Sequence, residues 1–227
     1  MNIYTVIPAR GGSKGIKKKN IKLLNKCPLI QYSIEYSLES SIVNRTVVST
    51  DCNEIAKISI NCGAEVPFIR PKEYAEDLTP DFPVFNHALL ELEKIYNEKI
   101  DFLILLRPTS PFRPKGLIEE GIKKMTHFQD ADSLRSVTLV KEHAYRQWKM
   151  KDNFIVGYEK SIDEPYNLPR QLLPELFFQT GDIEIVRRST LINGSISGKK
   201  VLPLVIDHDQ MLDIDSEKDW ANAEKSK

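Results

Sequence analysis

Three glycines and the cations Arg10, Lys14 and Lys19 lie in the run Pro8-Ala9-Arg10-Gly11-Gly12-Ser13-Lys14-Gly15 and at the nearby Lys19-Asn20. Glycines let a backbone approach a ligand closely, and clustered amides form an anion-binding nest. Arg10, Lys14 and Lys19 add positive charge, and a triphosphate needs both features. The run is neither of the two common nucleotide loops. Its lysine precedes the last glycine, no Gly-Lys-Ser/Thr follows, and GxGxxG is missing. Taken alone, a glycine-rich turn with solvated lysines explains it equally well. Asp213-Ile214-Asp215 is the second cluster. In an extended run, residues i and i+2 share a face. Two carboxylates so placed repel unless a cation lies between them, which is how oxygen ligands for Mg²⁺ are supplied; an ordinary helix start fits the same spacing. The third cluster is Arg107-Pro108-Thr109-Ser110-Pro111, and the fourth is Arg70-Pro71 with Asp77, Thr79 and Asp81 downstream.

These clusters need elements to position them. Ile3–Ile7, Arg45–Ser49, Glu65–Ile69 and Asp101–Leu106 read as short buried strands. Between them, residues 28–39 (Ile30, Ile34, Leu38), 53–62 (Ile55, Ile58, Cys62) and 82–97 (Phe85, Ala88, Leu89, Leu92, Tyr96) carry helical stripes, and 115–127 adds a further helix. Asn53 reads as an N-cap and Gly63 as a C-terminal stop. Alternation of this kind predicts βαβ units: an α/β fold with a mostly parallel sheet and helices on both faces. The four clusters then sit at predicted strand ends on one edge of the sheet, the carboxyl edge where open α/β sheets bind ligands. The pattern changes after Leu139. Residues 141–180 are irregular and read as an inserted arm or β-hairpin. Ile183–Val186, Val201–Ile206 and a closing helix follow, with Ser216 and Asp219 spaced as a capping box.

Composition bounds the function. The chain has 227 residues, 41% hydrophobic and 28% charged, enough for a full core without staples. Lys plus Arg equals Asp plus Glu, at 32 each, which argues against a broad nucleic-acid surface. The longest apolar run, Phe102–Leu106, is too short for a membrane span. Met1-Asn2-Ile3-Tyr4 lacks the pattern of an export signal. A cytoplasmic protein with three reduced cysteines, Cys27, Cys52 and Cys62, is expected. Trp148, Trp220 and His87 read as packing residues, and His143 and Tyr145 stand where the arm begins.

The motifs Ile7–Gly15 with Lys19-Asn20, Val48-Ser49-Thr50-Asp51, Arg70-Pro71, Arg107–Pro111, Pro169-Arg170-Gln171 and Asp213-Ile214-Asp215 together resemble, in order across almost the whole chain, the acylneuraminate cytidylyltransferase (CMP-sialic acid synthetase) family. The resemblance implies a Rossmann-like sheet of the nucleotide-diphospho-sugar transferase type. It implies one cytidylyltransferase domain over 1–227, with a dimerisation arm at about 141–178 and hence a homodimer. It implies a Mg²⁺-dependent reaction of CTP with a nine-carbon 2-keto sugar acid, giving a CMP-sugar and pyrophosphate for surface glycan synthesis. By the match, Arg10, Lys14 and Lys19 hold the triphosphate and, with Asp215, carry catalysis. Pro8, Ala9, Gly11, Gly12, Ser13, Asn20, Arg70, Thr79 and Asp81 surround the nucleotide. Arg107, Thr109, Arg170, Gln171, Thr180, Asp182 and Glu184 face the sugar, and Asp213 and Asp215 hold Mg²⁺.

The sugar half departs from the family pattern. Where sialic-acid enzymes carry an Arg-Pro-Asn-Gly-Ala-Ile-Tyr-like segment, this chain has Phe178-Gln179-Thr180-Gly181-Asp182-Ile183-Glu184. Two readings follow: Asp182 and Glu184 recognise an extra amino or hydroxyl group on a modified sugar, or they pair with Arg170 or another basic residue of the arm. Rival functions are a cytidylyltransferase for an eight-carbon Kdo-like acid, a nucleotidyltransferase for a sugar 1-phosphate, and a non-catalytic nucleotide-sugar binder.

Overall fold

The computed structural model describes residues 1–207 and 212–226. Strand β1 (Ile3–Pro8) alternates strictly: Ile3 and Ile7 enter one core layer, Tyr4 and Val6 the other. A two-residue pair, β2 (Leu23–Leu24) and β3 (Cys27–Pro28), leads into helix α1 (Leu29–Leu38). Then follow β4 (Arg45–Ser49), α2 (Asn53–Asn61), α3 (Asp81–Tyr96), β5 (Phe102–Leu105), α4 (Leu117–His127) and β6 (Ser133–Leu139). A two-stranded hairpin, β7 (Trp148–Lys151) and β8 (Phe154–Gly157), stands in the arm. Strand β9 (Phe177–Arg187), α5 (Arg188–Ile192), β10 (Val201–Val205) and α6 (Glu217–Lys225) complete the order.

Six strands form the main sheet in the order β10-β6-β9-β5-β1-β4. The pairs β1–β4, β1–β5 and β10–β6 are parallel; β9 runs antiparallel between β5 and β6. One face buries Ile30, Ile34, Ile55, Ile118 and Ile122 of α1, α2 and α4. The other buries Phe85, Ala88, Leu89 and Leu92 of α3 with Leu191 of α5. A third cluster joins Ile16, Leu24, Leu29, Ile214, Trp220 and Ala223, so the Gly-rich loop and the closing segment share a small core. Ser216 and Asp219 form the expected capping box at the start of α6. Among the described residues, no helix is long and apolar enough to cross a membrane.

Several elements differ from expectation. Glu65–Ile69 is not a strand: Glu65 makes one parallel bridge to Val47, and Pro67 interrupts any longer ladder. Cys52, not Asn53, caps α2, and Leu38 points outward while Ser33 and Ser37 are buried on α1. The strand expected at Ile183–Val186 is the end of the eleven-residue β9, which reaches back so that Phe178 pairs with Thr138 and Phe177 with Leu139. Gly181, at φ +79°, breaks the alternation that would have marked it. Trp220 is buried, but Trp148 is half-exposed and stacks on Tyr166, their ring centroids 4.1 Å apart.

Candidate active site

The four clusters surround one pocket, two of them at strand ends: the Gly-rich run after β1 and Arg107–Pro111 after β5. A cavity of about 680 Å³ is lined by Pro8, Arg10, Ser13, Lys14, Lys19 and Asn20 from the first cluster, and by Arg70, Thr79 and Asp81 from the fourth. Arg107 and Thr109 enter from beyond β5, and Asp213 and Asp215 from the closing segment.

The Gly-rich loop is held by its neighbours. The backbone N–H of Gly11 donates to Asp51 Oδ1 at 2.8 Å, and Asn20 Nδ2 donates to the Arg10 carbonyl at 3.0 Å. Lys19 Nζ donates both to the Ile214 carbonyl and to Asp215 Oδ1, each at 2.9 Å. Lys19 therefore ties the loop to the carboxylate pair. Gly15 has a second reason to be glycine: a Cβ there would stand 2.5 Å from the Asp215 backbone oxygen. Gly15→Ala is expected to push this segment out of place and lower kcat about a hundredfold, since small misplacements cost that much. Steady-state kinetics beside a thermal melt check this; an unchanged kcat would show that the contact positions nothing.

Arg70 is the least satisfied group in the pocket. It is 4% exposed, yet Nε and Nη2 have no hydrogen-bond partner. Burial, with Arg10 nearby, lowers its pKa from the ordinary arginine range. A buried, unpartnered guanidinium at a pocket wall is costly until a ligand supplies acceptors. Arg107 is occupied by comparison. Its Nη2 donates to Asp81 Oδ2 and to Glu184 Oε1, both at 2.7 Å. Its carbonyl accepts from Arg113, which is fully enclosed, also donates to Ser33 Oγ at 2.9 Å, and is lowered by burial to about 10.

Asp213 and Asp215 line the same pocket as Arg10 and Lys14. Partial burial pushes the Asp213 carboxyl up from its usual range, and repulsion from Asp215 adds to the shift. Among the described residues, no three His, Cys, Asp or Glu side chains gather into a metal cage. Mg²⁺ needs fewer, taking one or two carboxylates together with waters and substrate phosphates. The mutual repulsion of this pair fits it to such a cation.

Other expected residues lie elsewhere. Ala9 is core, Gly11 packs on Cys52, and Gly12 lines an adjoining groove. Thr180, Asp182 and Glu184 are buried in β9, outside the pocket lining. Thr180 donates to Ser136 Oγ at 2.9 Å. Burial raises the Asp182 carboxyl, whose Oδ2 lacks a hydrogen-bond partner. Glu184 lies between Arg107 and Arg135, whose Nη1 is 2.9 Å from Oε2, close enough for an ion pair but without hydrogen-bond alignment. These partners come from the sheet and its edge, not from the arm. Arg170 and Gln171 lie on the arm, exposed, with Arg170 Nη2 donating to the Val140 carbonyl at 3.2 Å. His143 is pinned by the Pro174 carbonyl, 2.8 Å from Nε2, and by the Tyr145 N–H. The sequence reading missed Arg113, Tyr74 and Glu76. Arg113 had one local signal, its place in the Pro111-Phe112-Arg113-Pro114 turn after β5.

The cytidylyltransferase family profile matches residues 4–142. The chain is 33% identical to a CMP-N,N'-diacetyllegionaminic acid synthase of Campylobacter jejuni over 219 residues, 96% of this chain and 92% of that protein. It is 31% identical to an N-acylneuraminate cytidylyltransferase of Escherichia coli, again over 96% of this chain but half of the longer relative. In fold it is similar to a CMP:2-keto-3-deoxy-manno-octonic acid synthetase complexed with CTP, with a TM-score of 0.72, 15% identity, and 99% and 98% of the two chains covered.

Proposed function

The chain belongs to the cytidylyltransferase family, as a nucleotidyltransferase of the N-acylneuraminate type, and from that premise we propose that it activates a modified nonulosonic acid of the legionaminate kind with CTP. The observation that carries the reading is Arg70: a buried guanidinium with two unpartnered nitrogens, on the wall of a pocket that also holds Arg10, Lys14, Asp213 and Asp215. In this reading Arg70, Asn20, Thr79 and Asp81 receive the cytidine, and Arg10, Lys14 and Lys19 receive the triphosphate. The anomeric hydroxyl of the sugar acid attacks the α-phosphorus, the bond to the β-phosphate oxygen breaks, and pyrophosphate leaves. The cations are preorganised toward the charge that grows on the phosphate oxygens, which is where electrostatic stabilisation counts most. Asp213 and Asp215 would hold Mg²⁺, which when bound neutralises and orients the phosphates. Arg107 and Thr109 stand on the sugar side.

Arg170 and Gln171 do not line the pocket of their own chain, so they are assigned to the sugar site of a second copy. The arm, residues 141–178 of a single unit spanning 1–227, supports that assignment with exposed apolar side chains: Met150 is 77% exposed, Phe154 74% and Leu172 67%. An apolar patch of this kind favours burial against a partner. Phe154→Glu is expected to convert a dimer to a monomer by light scattering, with loss of turnover. A monomeric wild type would sink the assignment.

Cytoplasmic location fits an enzyme that consumes CTP. A pyrophosphate-release assay with CTP and Mg²⁺ tests the whole reading, using legionaminate-type, pseudaminate-type, N-acetylneuraminate and Kdo acids. Highest kcat/KM for a legionaminate-type acid is expected. N-acetylneuraminate as the best acceptor would remove the modified-sugar proposal, and silence across the panel would remove the reaction.

A further inference from the structure

Both cations at the mouth of the pocket are already bound to one acid. Arg10 Nη1 donates to Asp77 Oδ1 at 2.7 Å, and Lys14 Nζ pairs with Asp77 Oδ2. The carboxylate thus spans the two side chains as a phosphate would, one oxygen to each. Asp77 belongs to the connection between Arg70 and α3, where it lines both the pocket and the adjoining groove formed with Gly12 and residues 75–78. It therefore stands where a phosphate chain leaving the pocket along the Gly-rich loop would pass.

The connection is built to let go. The Asp77 side chain takes no part in the internal bonds of the connection: Tyr74 N–H to the Pro71 carbonyl and Ala75 N–H to the Lys72 carbonyl precede it, while Thr79 N–H to the Glu76 carbonyl and Thr79 Oγ1 to the Glu73 carbonyl pass across it. Leu78, the next residue, is 94% exposed and anchors nothing. The Asp77 pairs are open to solvent, and exposed ion pairs add little to folding. The two cations hold the Asp77 carboxyl below its usual range, so it is charged whenever the site is in use. A ligand that uses Arg10 and Lys14 must break both pairs.

We infer that Asp77 is an internal competitor for the phosphate chain: it occupies Arg10 and Lys14 until the nucleotide displaces it, and it returns to them as pyrophosphate leaves. The inference rests on the reading of Arg10 and Lys14 as phosphate ligands. Asp77 then determines specificity by charge. An anion that cannot match a carboxylate on two cations is kept out, whereas a triphosphate succeeds. The same competition weakens the hold on the departing product. Once displaced, residues 75–78 lose their link to the Gly-rich loop.

Calorimetric titration of the full chain with inorganic pyrophosphate tests this. Asp77→Asn is expected to bind pyrophosphate about fivefold tighter than wild type, as suits the loss of two exposed pairs that the ligand must break. The gain should shrink as salt rises. Asp77→Glu should restore wild-type affinity. Glu76→Gln removes the same charge from the adjacent position, and a much smaller gain is expected from it. Unchanged or weaker binding in Asp77→Asn would overturn the inference, as would an equal gain in Glu76→Gln, which would reduce the effect to general field. Pyrophosphate binding to neither wild type nor Asp77→Asn would instead remove the phosphate role of Arg10 and Lys14.

Discussion

Asp215→Ala is expected to lower kcat about a thousandfold while leaving the melting temperature close to wild type; the loss is that of one preorganised group facing transition-state charge. The two halves of this expectation have separate causes. The Asp215 side chain is 73% exposed, so its removal empties no core volume, and Lys19, 15% exposed, keeps the Ile214 carbonyl as an acceptor. Its carboxylate is nonetheless the partner of Lys19 and the neighbour of Asp213, and both sit on the pocket wall. Loss of the carboxylate leaves Lys19 with the Ile214 carbonyl alone and leaves a single acid to hold the proposed cation. Turnover should therefore fall far more than CTP affinity, because the interaction counts most when charge moves onto the phosphate oxygens. Kinetics across a Mg²⁺ titration check it. Wild-type kcat at low Mg²⁺ in the variant would end the assignment of Asp215 to the metal.

Glu184→Ala has the largest expected effect on stability, a loss of about 3 kcal/mol, because removing one member of a buried ion cluster leaves its partners uncompensated. Glu184 is 3% exposed and lies between Arg107 and Arg135. For a chain of this size that corresponds to a drop of about 6–12 °C in melting temperature. Glu184→Gln keeps the shape and should lose less. The alternative from sequence, that Glu184 recognises an extra group on the sugar, makes the opposite prediction: a changed acceptor preference with an almost unchanged melting temperature. Calorimetry of both variants, beside kcat/KM for two sugar acids, separates the two roles. The structural role is expected because both carboxylate oxygens already face guanidinium groups.

Much of the fold was legible because local signals agreed with tertiary packing. In β1, alternation of Ile3 and Ile7 with Tyr4 and Val6 serves two core layers, and a period of two needs no knowledge of the neighbours. Stripes on α2 and α3, the positive φ of Gly63 and the Ser216–Asp219 capping box are likewise written in short spacings. Failures came where a partner strand decided the outcome. Glu65–Ile69 has strand-like residues, but Pro67 breaks the ladder and one bridge remains. β9 looked short because Gly181 interrupts its pattern; pairing with β6 continues back to Phe177 and extends it to eleven residues.

The lining of the pocket was legible for a related reason. Its clusters are short runs, two of them delivered to one edge by the ends of β1 and β5, and Arg10, Lys14, Asn20, Arg70, Thr79, Asp81, Asp213 and Asp215 meet in one pocket. What no spacing showed was how the charges are shared. Asp77 lies 67 residues from Arg10, and Lys19 lies 196 from Asp215. Glu184 reaches Arg107 only because antiparallel register sets it opposite Leu105. By itself, then, the sequence determined the chemical inventory and the edge of the sheet on which it sits, since both depend on residue type and short-range period. Only the tertiary structure decided which carboxylate neutralises which cation, because strand register and loop packing choose those pairs across distances along the chain that no local pattern spans.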